Sequence, residues 1–413
     1  MRRTTGAVFL LPLLGISVFA LLQLRHVWPG QWGSTLDMVT GTTVLTGPLT
    51  AAFAGSVALG LHRMAEVADS TPRGVLVPYR AALHAWAWSF LGYAAVASVA
   101  LAVTFSRPHG GPLQSWVLMI GPAVLLVCAF LGVLAVRAWP HRMAVVLVAP
   151  VVFVLTGFGP APYADLLRPG PTTGSLAGLA FARDHGLLQL TCLLGMAGVL
   201  VVVLLPWSRS SLRIGTAAAL TVCVGVVVVS GAALAGSEAA RLLADDERPT
   251  ACAGNAPRVC LAPSERRGLA RTAAPMAAAA RELQEIGIDL PGRYEQLLPG
   301  YRPGVDVGMI GVSAETGRLS LAQAAENIAT PAGCAAWTDP SQPPPDGAFN
   351  GQRLVVNWVL VRAGARPDPW SRAERDWLRT ADSAAAQEQV RRIVGQLRSC
   401  DLEAIRLPWS APA

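Results

Sequence analysis

The sequence predicts an all-α polytopic membrane bundle of about seven transmembrane helices, followed by a helix-rich α+β extracytoplasmic domain. Hydrophobic residues make up 53% of the 413 residues and charged residues only 14%, against about 25% charged in soluble domains. The charge is also uneven. The first 235 residues hold 13 Arg and 5 acidic residues, whereas the remainder holds 20 Arg and 21 acidic residues. We therefore expect residues 1–235 to form a transmembrane domain and residues 236–413 a separate domain outside the cytoplasm.

Seven apolar stretches have lengths that suit or nearly suit a helix across a bilayer, which needs about 20 residues. None of them contains Asp, Glu, Arg or His, and Arg, Pro or Gly clusters separate them. They are 6–24, 38–61, 86–105, 116–135, 143–159, 186–205 and 214–235. Because ion-coupled carriers usually place ionisable groups inside the membrane, uncharged spans argue against that class of transporter.

The orientation follows from the Arg residues of the short loops. Positive residues favour the cytoplasmic side, and an inside N-terminus places nine loop Arg in the cytoplasm and four outside. Seven spans then put the C-terminus outside. We expect a multi-pass protein of the plasma membrane whose first apolar stretch is retained, because no clear signal-peptide cleavage site follows it.

The predicted outer domain contains four cysteines and no histidine. An oxidising exterior permits disulfides, and four cysteines allow three pairings. We favour Cys252 with Cys260, whose short loop carries turn-forming residues, which leaves Cys334 with Cys400. A metal site is the rival interpretation, and the missing His and the cysteine spacing argue against it.

Several patterns predict secondary structure in the outer domain. Ser264 is the expected N-cap of a helix that ends near Ile286, and residues 305–312 are an expected strand. Residues 354–362 fit either a strand or a buried helix, whereas residues 321–330 and 371–397 have helical periodicity.

The sequence carries no signature of chemistry. The outer domain lacks both the commonest general base and the commonest zinc ligand, and the chain contains no Lys for a nucleotide-binding Walker A loop. We predict no enzymatic activity, no cofactor and no metal. Nucleic acid is not an expected partner either, because the excess of Arg lies in short loops between apolar stretches.

The order of spans and loops resembles the ABC-2 type permeases. A charged loop, 62–80, follows the second span, and an irregular Gly- and Pro-rich loop, 160–185, precedes the sixth. In that family the first of these loops carries a coupling helix that touches a separate ATPase. The resemblance therefore implies a partner-binding segment with Arg63, Glu66, Asp69 and Arg73, although a solvated loop is an equally good interpretation of these charges. A seventh span departs from the family pattern.

A second resemblance concerns residues 252–263, which look like a stretch of actinobacterial permease-like proteins. Basicity supplied by Arg alone is typical of the GC-rich coding of such organisms. Small residues at four-residue spacing, such as Ala54 and Ala58, indicate close packing inside a bundle, and a homodimer face is the weaker alternative.

These features predict a permease-like subunit of an ABC exporter that relies on a separate ATPase and lies in the lipid bilayer. The first alternative is a membrane sensor or scaffold that transports nothing and whose outer domain binds a ligand or protein partner. The second is a membrane-bound envelope enzyme.

Overall fold

The computed structural model divides into two units. The first comprises Met1–Arg107 and Pro112–Leu243, and the second comprises Pro108–Gly111 and Ala244–Ala413. The residues that the structure describes are 3–25, 27–62, 77–107, 109–158, 176–205, 213–236, 241–301, 304, 306–311, 319–330, 334 and 344–409.

The first unit is built from apolar helices. They are α1 (Arg3–Gln23), α2 (Trp32–Gly41), α3 (Thr43–His62), α4 (Val77–Phe105), α5 (Ile120–Ala138), α6 (Arg142–Gly157), α7 (Arg183–Val203) and α8 (Arg213–Gly236). A 3₁₀ turn, Ser115–Met119, leads into α5, and the short strands β1 (Leu179–Phe181) and β2 (Leu242–Ala244) pair with each other.

Six spans among the described residues are long and apolar enough to cross a membrane, with α2 and α3 counted together as one span, Trp32–Leu61. This chain is a multi-pass membrane protein by the length and composition of these helices. The stretch expected to be a further span, 143–159, forms α6, which has 16 residues and is shorter than the others. The prediction of a helical unit with several apolar helices of membrane length is confirmed, whereas the count of seven spans stays a prediction.

The helices contain ionisable residues that the predicted spans excluded. Trp32–Leu61 includes Asp37, and Pro78–Phe105 includes His84. The predicted spans themselves contain no such residue, because each helix continues past the apolar window that marks its centre and these residues lie in the extensions. The absence of ionisable groups from the spans stays a prediction.

Close helix packing holds the bundle together at α3 and α5. Ala51, Ala54, Val124 and Cys128 are buried there. A Cβ at Gly132 would overlap the backbone carbonyl of Ala51, so the two helix backbones can approach this closely only where a side chain is missing.

The second unit has a four-stranded sheet. The strands β3 (Ala251–Ala253), β4 (Arg258–Leu261), β5 (Arg293–Gln296) and β6 (Gly308–Ile310) lie in that order. The β3–β4 pair is antiparallel, and β4–β5 and β5–β6 are parallel. A helix, α9 (Leu269–Glu285), connects β4 to β5, as parallel neighbours require a crossover.

The other helices of this unit pack with α9 over one core. They are α10 (Leu321–Ala329), α11 (Asp346–Arg362), α12 (Arg372–Leu378) and α13 (Ala384–Arg398). Trp358 of α11 is fully buried in that core, and its indole N–H donates to the carbonyl of Ala381 at 2.9 Å. The helix-rich α+β character of this unit agrees with the sequence prediction.

Two details of the prediction need correction. Residues 354–362 belong to α11, so the strand alternative is wrong. Ser264 lies inside a 3₁₀ turn, Pro263–Gly268, and the N-cap of α9 is Gly268. The turn begins at Pro263, so the buried Ser264 lies within the turn and does not cap α9.

Candidate functional site

The predicted partner-binding loop lies outside the described residues. Helix α3 ends at His62 and α4 begins at Val77, so Arg63, Glu66, Asp69 and Arg73 fall in residues 63–76. The assignment of these four residues to an ATPase contact stays a prediction. The described part of the predicted outer loop, from Leu176 onward, forms β1 and the start of α7.

The membrane unit has a polar interior around α2 and the start of α3. Thr42 lies between the two helices and keeps helical backbone angles, and every residue of α2 from Trp32 to Thr40 is buried. Polar side chains connect this region to its neighbours: Thr35 hydrogen-bonds Thr104 of α4 at 2.7 Å, and Thr50 hydrogen-bonds Ser89 at 2.8 Å.

Asp37 is the buried acid of this polar interior. Its side chain is 1% exposed, and its carboxylate lies 3.6 Å from the guanidinium of Arg241. Arg241 also lies over the ring of Phe181 at 5.9 Å. A buried ion pair is stable only when both charges are present, so α2 and the segment after α8 are joined by a contact that depends on both residues.

Further polar contacts hold the segment around β1 in place. Gln114 exchanges two hydrogen bonds with the backbone of Phe181, at 2.9 and 2.7 Å. The Gln31 side chain accepts from the backbone N–H of Leu176 at 3.2 Å and from the Ser34 hydroxyl at 2.6 Å. Side-chain hydrogen bonds therefore hold the backbone close to Asp37 and Arg241 in place.

The cysteines of the second unit form two pairs at disulfide distance, in the arrangement that the sequence favours. Cys252 on β3 is directly opposite Cys260 on β4, with a Cα–Cα distance of 4.0 Å. Cys334 pairs with Cys400, with a Cα–Cα distance of 5.6 Å. No group of three or more potential metal ligands occurs among the described residues.

A buried carboxylate, Glu374 of α12, organises one surface of the second unit. It accepts from Arg353 at 2.7 Å, from the Asn357 amide at 2.7 Å and from the backbone N–H of Trp370 at 2.9 Å. The Asn357 oxygen in turn accepts from the backbone N–H of Asp368 at 3.0 Å. These bonds fix the loop 364–371 between α11 and α12.

That loop presents an exposed tryptophan. Trp370 is 69% exposed, and the Arg353 guanidinium lies 3.5 Å from the centre of its ring. Phe349, which is 46% exposed, lies 6.3 Å from it. An exposed aromatic pair with a stacked Arg has the composition that is enriched at protein interfaces. We call Phe349, Arg353 and Trp370 the aromatic surface.

Sequence reasoning missed both arrangements. A predicted span that began at Met38 left out Asp37 by one residue, and Arg241 fell in the predicted outer domain. Trp370 and Glu374 lie in a polar segment without a motif, and only the fold brings Arg353 and Asn357 to them.

Comparison with known proteins finds no matching family model, no similar characterised protein and no similar solved structure.

Proposed function

We propose that this chain is a permease-like membrane subunit of an ABC-type exporter and relies on a separate ATPase. The buried Asp37–Arg241 pair beside α2 is the observation that supports this proposal. Asp37 belongs to an apolar helix of membrane length, Trp32–Leu61, and ionisable groups in such helices are costly and often mark a substrate path. Structural packing alone would be satisfied by apolar residues at lower cost.

The energy for transport comes from another protein in this proposal. The chain contains no Lys and therefore no Walker A lysine. A cytoplasmic N-terminus and an extracytoplasmic C-terminus complete the arrangement, because they place the loop after α3 in the cytoplasm, where an ATPase binds. In this proposal the bilayer surrounds the first unit. A second copy of the chain is a further partner, because an exporter of this type would work as a dimer.

Co-purification tests the ATPase contact. The full chain is isolated from its native membranes in mild detergent, and bound ATPase is identified by mass spectrometry. Reversing Glu66 and Asp69 to Arg should reduce the bound ATPase at least fivefold while membrane insertion is unchanged. Reversal of Asp376, an exposed acid of the second unit, is the matched control. Equal recovery from the wild type and E66R/D69R would reject the loop as the contact.

Reporter fusions test the orientation. A reporter active only in the cytoplasm should give no signal when fused after Ala413 and a full signal when fused before Met1. The opposite pattern would mean that the orientation or the number of crossings is different from the one proposed.

The aromatic surface favours a second candidate function, a membrane sensor or scaffold whose outer domain binds a partner. A network of buried hydrogen bonds holds Trp370 in an exposed position, and a purely structural tryptophan would be buried. A photo-crosslinking amino acid at position 370 should capture a specific envelope partner in living cells. The same amino acid at Leu297, which is 48% exposed in the same unit, should not. Identical crosslinks from both positions, or none from either, would reject this candidate.

A further inference from the structure

A cavity of about 440 Å³ opens beside the Cys252–Cys260 disulfide in the second unit. Its size is within the range of pockets that hold small organic ligands. Its lining comes from the start of β3, the start of β4, the 3₁₀ turn and the first residue of α9: Thr250, Ala251, Cys252, Arg258, Pro263, Arg266 and Leu269.

Two positive charges face this cavity without a balancing acid. Arg258 and Arg266 line it, and no carboxylate lines it among the residues that the structure describes. Some other arginines of the unit are paired, such as Arg293 with Glu295 at 2.5 Å and Arg353 with Glu374 at 2.7 Å. No ion pair is found for Arg258 or Arg266 in the described parts of the chain. Both side chains are exposed, so water and salt screen their mutual repulsion, and both guanidiniums are accessible to an anion that enters the cavity.

The nearest acids of the same segment are engaged elsewhere. The Glu247 carboxylate accepts from the backbone N–H of Ser264 at 3.3 Å. Glu265 is in the same 3₁₀ turn as Arg266, but it does not line the cavity and it has an interaction of its own. The guanidinium groups therefore stay available to a ligand.

The rest of the lining is mixed in character. Ala251, Pro263 and Leu269 offer apolar surface, and Thr250 and Cys252 add polar atoms. The Cys252–Cys260 bridge joins β3 to β4 at directly opposed positions, which fixes Thr250 and Cys252 relative to Arg258. A preformed pocket of this kind costs little ordering on binding.

From this geometry we infer that the cavity binds a small organic oxyanion, a carboxylate or phosphate ester with an apolar portion. The Arg258 and Arg266 guanidiniums bind the oxyanion, since a guanidinium matches either group with two parallel hydrogen bonds. The apolar portion lies against Pro263 and Leu269. This site is independent of the proposed transport function and of the aromatic surface, and it shares no residue with either.

The test uses the full chain in lipid nanodiscs with benzoate and phenyl phosphate as probes. Calorimetry gives the dissociation constant of each, and the tighter probe identifies the preferred oxyanion. The double variant R258A/R266A should bind the preferred probe at least tenfold more weakly. R271A removes an exposed arginine of the same unit that does not line the cavity, and it should stay within twofold of the wild type.

Two further measurements keep the outcome clear. R258K/R266K keeps the two positive charges but removes the planar guanidinium groups. It should therefore bind the preferred probe more tightly than R258A/R266A and more weakly than the wild type. Raising the ionic strength should weaken binding to the wild type and affect R258A/R266A much less. No binding of either probe to the wild type, or equal binding to the wild type and R258K/R266K and R258A/R266A, would overturn the inference.

Discussion

The carboxylate of Asp37 lies 3.6 Å from the guanidinium of Arg241, and both side chains are largely withdrawn from solvent. The pair joins α2 to the segment that follows α8, two parts of the chain that are far apart in sequence. Because a buried charge without its partner is costly, the position of α2 depends on Arg241 as much as on the packing of its apolar residues.

Neutralising one member of this pair should destabilise the protein more than neutralising both. D37N and R241M each leave one buried charge uncompensated, at a cost of about 3–5 kcal/mol. The double variant D37N/R241M removes both charges, so its loss should be smaller than that of either single variant. Thermal unfolding in one detergent measures all three. D184N, which removes an exposed acid in the same unit, should cost under about 1 kcal/mol. Additive losses in the double variant would show that the two charges do not interact.

The two disulfides should contribute unequally to stability. Cys334–Cys400 closes a sequence separation of 66 and Cys252–Cys260 one of 8. In the chain-entropy description the longer loop is worth about 2 kcal/mol more. We expect C334A/C400A to lower the free energy of unfolding of the second unit by about 2–5 kcal/mol and C252A/C260A to lower it less. Denaturant titration with a probe in the second unit decides this, and an equal or reversed order would contradict it.

Tyr301 should make the second unit sensitive to alkaline pH. Its hydroxyl donates to the buried carboxylate of Glu295, and this hydrogen bond, with burial and the negative charge of Glu295, raises the Tyr301 pKa above its usual 10.0. A pKa raised by folding stabilises the protein fully below the unfolded pKa, and this stabilisation disappears as the pH rises through the folded pKa. The stability difference between the wild type and Y301F should therefore be constant up to about pH 10 and shrink above it. Urea titration at several pH values measures it, and a difference that grows above pH 10 would refute the assignment.

The sequence predicted the membrane helices well at their centres and poorly at their ends. A window of apolar residues identifies the part of a helix that lies in hydrocarbon, but a helix continues until its backbone hydrogen bonds stop. The apolar window begins just after Asp37, yet Asp37 lies in the middle of α2. Nearly all residues of this helix are buried by other parts of the protein, so its extent does not depend on the apolar window alone.

In the second unit, too, some features depend on neighbouring residues and others on residues far apart in the sequence. The N-cap at Ser371 and the capping box at Ser320 depend on residues only three positions away, and such local signals can be read from a sequence. Residues 354–362 form a mostly apolar run with Asn357 inside it and Arg362 at its end, and periodicity does not separate a strand from a buried helix in so short a run.

The candidate sites could be identified only from the three-dimensional fold. Arg353, Asn357 and Glu374 meet only because α12 returns beside α11. Arg258 and Arg266 face one cavity only because β4 and the 3₁₀ turn enclose it. Neither set has a spacing that distinguishes it from an ordinary charged surface, so no motif search would have found them.

ATP hydrolysis by the complex isolated from native membranes tests the central claim most directly. The wild-type chain should co-purify with a vanadate-sensitive ATPase activity, because an ABC-type permease depends on a bound ATPase. D37N should change that activity at least twofold at unchanged ATPase content if the buried pair belongs to the transport path, whereas D184N should leave it unchanged. Absence of ATP hydrolysis from the wild-type preparation, with the chain itself intact and folded, would contradict the proposal that it is an exporter subunit.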